Sequence, residues 1–287
     1  MTDIGEHSSA APARRASELG LRVASSLVLA LVALFATAVG GWIFALLWLL
    51  AGGAVLFEWL AMTKAEPGST LQVVLAGGLV ALAASAFAGA SPLIAAAICA
   101  GALVAAAALG RSWRDRGWAT GGFAYAAVIA VVPPLVREHP RLGLVAILWM
   151  FAVVWLTDIA AYFAGRRFGG PRLWPRVSPK KTWSGFFGGL VAGVAAGGIV
   201  VLVAGRFGVA APVSFAIVVL LSAVASVLSQ LGDLGESALK RRFGAKDSGV
   251  LIPGHGGVMD RLDGFWAAAA LIGLVLAGVQ LRQGWAG

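Results

Sequence analysis

Nine stretches of almost uninterrupted apolar residues, at roughly 21–39, 42–62, 70–89, 91–109, 118–136, 143–165, 184–205, 210–235 and 264–281, constrain this chain more than anything else in it. Each is near the ~20 residues a helix needs to cross a bilayer. Backbone amides cannot go unpaired in hydrocarbon, so such runs are helices. The predicted fold class is therefore an all-α polytopic integral membrane protein with about nine transmembrane helices. Composition agrees: 60% of residues are hydrophobic and only 12% charged, about half the charge of a soluble domain. Pro133 and Pro134 predict a kink or an early end in the fifth run.

The formal net charge of +9 invites a nucleic-acid reading, but its distribution answers differently. With the N-terminus in the cytoplasm, 18 of the 22 Lys and Arg fall on the cytoplasmic face, as the positive-inside rule expects. Only Arg137, Arg141, Arg206 and Arg282 fall opposite. The two richest loops carry Arg166 to Lys181 and Lys240 to Arg261. No nucleic-acid partner is expected. Residues 1–20 read as a disordered cytoplasmic tail, 21–140 as a transmembrane scaffold of about five helices, and 141–287 as a catalytic region of four helices with two basic loops. Arg14 and Arg15 ahead of Ala36-Thr37-Ala38 also fit a cleaved leader, which would leave the other eight helices in the same orientation.

Several chemistries fall away. A single cysteine, Cys99, excludes an intramolecular disulfide and a four-cysteine zinc or iron–sulfur site. There is no Gly-Lys dipeptide and so no P-loop, and His7, His139 and His255 are too scattered for a helical zinc motif. Gly185, Gly189, Gly193 and Gly197 form a ladder that reads as a helix-packing or homodimer face. In the first half Glu58 is the exceptional residue, and it reads as an interfacial or Lys64-paired carboxylate ahead of a functional one.

The chemistry lies in the second half. Asp158 falls inside the sixth run, where a carboxylate costs about 2.5–3.5 kcal/mol at bilayer centre and marks a functional site by default. Ser178, Lys180 and Lys181 combine hydroxyl and positive charge in a loop suited to phosphate. Asp233, Glu236, Ser237, Lys240 and Arg241 share one stripe of the eighth helix, and Glu236 with Lys240 reads as an i,i+4 pair. Asp233 has no cation one turn on and is the better metal candidate. Next come Lys246 and Asp247, a glycine-rich loop around His255, Gly256 and Gly257, then Asp260, Arg261 and Asp263 at the mouth of the ninth helix. Hard carboxylate oxygens there suit Mg²⁺, which needs one or two carboxylates and leaves the remaining positions to water and phosphate.

The 27-residue pattern Ser237-x-x-Lys240-Arg241-x4-Lys246-Asp247, then Pro253-x-His255-Gly256-Gly257-x-x-Asp260-Arg261-x-Asp263, resembles the signature of the phosphatidate cytidylyltransferase family. Asp158 to Tyr162, Gly165-Arg166 and Ser178 to Thr182 extend the resemblance over about 155–265. Ser184 stands where the family leads one to expect Glu. The resemblance implies transfer of the cytidylyl group of CTP to phosphatidic acid with Mg²⁺, and room for a second cation, at the cytoplasmic side of the inner membrane. It implies metal at Asp233 and Asp260, with Asp263 and, more weakly, Asp247 and Asp158. Phosphates would fall to Lys240, Arg241, Lys246 and Arg261, the triphosphate to the His255-Gly256-Gly257 loop, and closure from the other side to Ser178, Lys180 and Lys181. Two other readings of the same parts are a CTP-dependent polyprenol or phytol kinase and a proton-coupled anion transporter.

Overall fold

The computed structural model describes residues 10–63, 68–209, 211, 213–252 and 256–285. Among them are nine helices: α1 (Ala10–Val39), α2 (Gly41–Met62), α3 (Gly68–Phe87), α4 (Pro92–Leu109), α5 (Trp113–Arg137), α6 (Gly143–Phe168), α7 (Trp183–Arg206), α8 (Phe215–Arg242) and α9 (Met259–Trp285). The apolar runs predicted all nine. Seven are long and apolar enough to span a bilayer, while Val23–Val39 and Leu93–Leu109 supply only 17 apolar residues each, about 26 Å of helix. The chain is a multi-pass, all-α membrane protein. Its outward faces carry Leu31, Phe35, Trp42, Phe57, Val73 and Leu93, each more than 60% exposed, a surface that hydrocarbon accepts and water does not.

Three local expectations need correction. Helix α1 starts at Ala10, so residues 10–20 of the expected tail are helical. Helix α5 carries Pro133 and Pro134 inside it and runs on to Arg137 instead of ending early. The basic loop after α6 is a small antiparallel hairpin, β1 (Arg172–Trp174) with β2 (Ser178–Thr182), where no strand was expected. Gly169 and Gly170 (φ 61° and 97°) reverse the chain into that hairpin in a region that L side chains rarely adopt.

Two cores hold the bundle. One joins α2, α3, α4 and α5 through Leu71, Leu75, Leu79, Phe123 and Trp59. The other joins α1, α2, α5, α6, α8 and α9 around Trp48, Met150, Phe151 and Phe265. Trp59 Nε1 donates to Trp118 O (2.9 Å), fixing α2 on α5, and Trp266 Nε1 donates to Tyr125 O (3.1 Å), fixing α9 on α5. The glycine ladder is spent inside the chain. A Cβ on Gly185 would lie 2.7 Å from Ala161 O, and one on Gly189 2.8 Å from Thr157 O, so α7 seats directly against the α6 backbone. Gly193 and Gly197 face Ser226 and Ser222 of α8. Hydroxyls then tie the helices: Thr157 Oγ1 donates to Ser226 Oγ (2.9 Å) and Trp149 Nε1 to Ser222 Oγ (3.0 Å). Of the two readings of the ladder, helix packing or a homodimer face, the structure shows helix packing.

Candidate functional site

The C-terminal end of α6, the hairpin, the start of α7, the end of α8 and the start of α9 meet at one end of the bundle. Local sequence explains how each side chain arrives. Thr182 closes β2 and caps α7, its Oγ1 accepting from Gly185 N (3.1 Å). Ser184 Oγ donates to Gly169 O (2.5 Å), so the residue that departs from the family pattern pins the hairpin to the end of α6. Lys181 on β2 is thereby held over α8, where its Nζ pairs with Asp233 Oδ2. Asp233, which has no local cation in the sequence, takes one from the other basic loop. Ser237 Oγ donates to Asp233 Oδ1 across one helical turn (3.4 Å).

The second centre is the Lys240 ammonium. It lies 3.1 Å from Glu236 Oε1 and 2.5 Å from Asp260 Oδ1, joining the last turns of α8 to the first turn of α9. The expected Glu236–Lys240 pair is present. Glu236 is 4% exposed, and its Oε2 has no hydrogen-bond partner among the described residues. Asp260 Oδ2 is fully engaged: Ser248 N (2.9 Å), Ser248 Oγ (3.0 Å) and Gly257 N (2.9 Å) all donate to it. The Gly257 amide is therefore turned inward to Asp260, and the reading of Gly257 as an open phosphate cradle is corrected. Gly256 has φ 82°, and a Cβ there would lie 2.8 Å from Asp260 Oδ2 and 3.2 Å from Asp247 Cβ. Small residues in this loop let the carboxylates come close. His255 and Pro253 lie outside the described residues.

Asp158 of α6 is within electrostatic reach of Asp233, Lys181 and Arg261, and Asp263 of α9 within reach of Asp233, Glu236 and Asp158. Five carboxylates and three cations thus share one region: Asp158, Asp233, Glu236, Asp260 and Asp263 against Lys181, Lys240 and Arg261. Exposed Lys180, Arg241 and Lys246 and half-buried Ser178 ring it without a contact that assigns them a role.

The metal expectation was tested against this donor set. No three Asp, Glu, His or Cys side chains among the described residues converge as a ready-made site, so Asp233, Asp260 and Asp263 are no preformed cage. Glu236 Oε2 is nonetheless a buried hard donor with no hydrogen-bond partner among the described residues, beside the Asp260 carboxylate that shares Lys240 with it. A divalent cation completed by water and phosphate oxygens fits such a donor set.

Sequence reasoning missed what Glu58 binds: it is 1% exposed at the end of α2, and its oxygens accept from Val258 N (2.9 Å), Met259 N (2.9 Å) and Ser248 Oγ (3.2 Å). Lys64, its expected partner, lies outside the described residues. The signal that could have found Glu58 was its isolation, a charge between Phe57 and Trp59 in an otherwise apolar helix.

Residues 20–278 match the model of the cytidylyltransferase family. The chain belongs to the cytidylyltransferase family. Within that family it is 44% identical to the phosphatidate cytidylyltransferase of Brucella suis biovar 1 over 263 residues, 89% of this chain and 92% of that protein. The phosphatidate cytidylyltransferase of Brucella abortus biovar 1 is 43% identical over the same shares. That of Bacillus subtilis is 42% identical over 142 residues, about half of each chain. The match covers both halves of the bundle, beyond the 155–265 over which the motifs carry the resemblance.

Proposed function

We propose that this chain transfers the cytidylyl group of CTP to phosphatidic acid, forming CDP-diacylglycerol and pyrophosphate for phospholipid synthesis. One observation carries the reading: two basic loops far apart in sequence bring Lys181 and Lys240 onto Asp233 and Asp260 at one end of a membrane bundle. Full-length relatives named for this reaction support it.

The reaction joins a phosphatidate oxygen to the α-phosphorus of CTP and breaks the bond to the β-phosphate. Phosphatidate brings its own nucleophile and needs no strong base, so the protein must position two polyanions and neutralise charge. Lys181 and Lys240 are held by carboxylates at the rim where the polyanions arrive. Arg241, Lys246 and Arg261, with Lys180 and Ser178 on the hairpin, gather phosphates from the surrounding loops. Asp233 and Asp260, with Asp263, Asp247, Asp158 and Glu236 nearby, would hold Mg²⁺, which would supply charge neutralisation for the phosphates. The same carboxylates would leave room for a second cation.

The charge bias favours a site on the cytoplasmic side of the inner membrane, where CTP is available and the lipid headgroup lies at the same level. The glycine ladder packs inside the chain, so a homodimer would use another face.

The deciding experiment is pyrophosphate release by purified protein in detergent with CTP, phosphatidate and Mg²⁺, omitting each in turn. The expected result is strict dependence on all three. Release of CDP with a phytol or polyprenol acceptor would make the chain a lipid kinase. Vesicle transport of an anion with no turnover in detergent would make it a transporter.

A further inference from the structure

Helix α2 is apolar along its length until Glu58, and burying that carboxylate is costly unless its oxygens are satisfied. Nothing on α2 satisfies them. Their partners lie about 200 residues away, at the start of α9: the Val258 and Met259 amides, which a helix N-terminus otherwise leaves unpaired. Two glycines of the loop make room for the carboxylate. A Cβ on Gly257 would lie 2.5 Å from Glu58 Oε2, and one on Gly249 2.6 Å from Glu58 Oε1.

Ser248 links this buried group to the site. Its hydroxyl is 3.2 Å from Glu58 Oε2 and 3.0 Å from Asp260 Oδ2, and it has one proton for two carboxylates. Asp260 Oδ2 is fixed by Ser248 and Gly257, while its Oδ1 faces Lys240. The loop that orients Asp260 is therefore clamped from behind by Glu58. We infer that Glu58 is a positioning residue of the transfer reaction: from the amino-terminal half it sets the Asp260 carboxylate by holding Ser248 and the first amides of α9. The inference rests on the cytidylyl-transfer reading above.

Three variants of the full-length protein in detergent test it: Glu58→Gln, Ser248→Ala and the double variant. Glutamine keeps the size of Glu58 but turns an NH2 group toward one amide and offers a single acceptor oxygen. We expect kcat to fall about 10–100-fold, as for partners that orient a ligand, with KM for CTP and phosphatidate within about threefold of wild type. Ser248→Ala should lower kcat about fivefold, and the double variant should lose less than the product of the two, because both act through Asp260. Hydrogen exchange supplies a readout that needs no turnover: amides 256–260 should exchange faster in Glu58→Gln, while those of α6 and α7 stay as in wild type.

Wild-type kcat in Glu58→Gln, a loss that follows only the folded fraction, or unchanged exchange at 256–260 would each overturn the inference. A double variant whose losses simply multiply would overturn the link through Ser248. If Glu58→Gln does not fold, Ser248→Ala alone decides, and full activity in it is the overturning result. A wild-type protein that releases no pyrophosphate would remove the cytidylyl-transfer reading, and the exchange data would still decide whether Glu58 holds the loop.

Discussion

The two halves of the bundle solve opposite problems. In α2 to α5 the buried surface is almost wholly apolar, and the one buried carboxylate, Glu58, points out of its own half. In α6 to α9 the helices approach through glycine and hydroxyls, and their shared end collects five carboxylates and three cations. A hydrophobic core tolerates changes that conserve volume, whereas a charged cluster fails when one partner is lost. The first half is thus a support that packs on the reacting half through apolar and aromatic contacts that can vary, and through the Glu58 carboxylate, which cannot.

The sharpest way to test that contrast is Asp260→Asn. Asn keeps the volume but cannot balance Lys240, and its NH2 group opposes the donors Ser248 N and Gly257 N. Turnover should fall at least about 100-fold in folded, membrane-inserted protein. Near-normal pyrophosphate release would remove Asp260 from the site. Lys240→Met comes next, because it strands Glu236 and Asp260, whose side chains are 1% and 6% exposed. Breaking a buried pair this way costs about 3–5 kcal/mol, so the melting temperature in detergent should drop together with activity. An unchanged melting temperature would mean that water already screens the pair.

Most of the architecture was legible because hydropathy is a local signal. The run at 42–62 became Gly41–Met62 and that at 143–165 became Gly143–Phe168. The eighth helix was expected from 210 and begins at Phe215, after Ser214 caps it; the ninth was expected from 264 and begins at Met259, because the polar stretch holding Asp260 and Asp263 is its first turn. Asp233 was legible as an acid with no cation one turn on, and Lys240 and Asp260 as fixed positions of a long, specific pattern. Three things were not. The Lys181–Asp233 pair joins residues 52 positions apart, and spacing carries no such information. The hairpin is eleven residues, six of them Pro, Arg or Lys, with no alternation. Glu58 binds backbone amides, and backbone amides leave no residue type to read.

A middle-sized effect separates the halves by packing alone. A Cβ on Gly189 of α7 would lie 2.8 Å from Thr157 O and 3.0 Å from Ala161 Cβ, so Gly189→Ala should cost about 1–3 kcal/mol by overpacking. Gly53 of α2 has nothing within 4 Å of its ideal Cβ, and Gly53→Ala should gain up to about 1 kcal/mol of helix propensity. Thermal melts of the two variants should therefore move in opposite directions. Equal shifts would mean that the α6–α7 interface is looser than its glycines require.

The smallest expected effect tests whether the first half is a support and nothing more away from Glu58. Ser112 caps α5: its Oγ accepts from Asp115 N (3.1 Å) and donates to Asp115 Oδ2 (2.6 Å), and both residues are exposed. Ser112→Ala removes the cap and should cost about 1 kcal/mol of stability, typical of such a loss. Yet α5 carries Trp118 and Tyr125, which hold Trp59 and Trp266, so a frayed first turn could loosen α2 and with it Glu58. Trp118 also stacks edge-on against Phe243 at the end of α8, with ring centroids 4.9 Å apart, which braces the same turn from the other half. That brace should confine the damage, leaving kcat unchanged while the melting temperature falls slightly. A matching loss of kcat would show that the support transmits strain to Asp260 through α5 as well as through Glu58, and the division between the halves would have to be redrawn around the aromatic contacts.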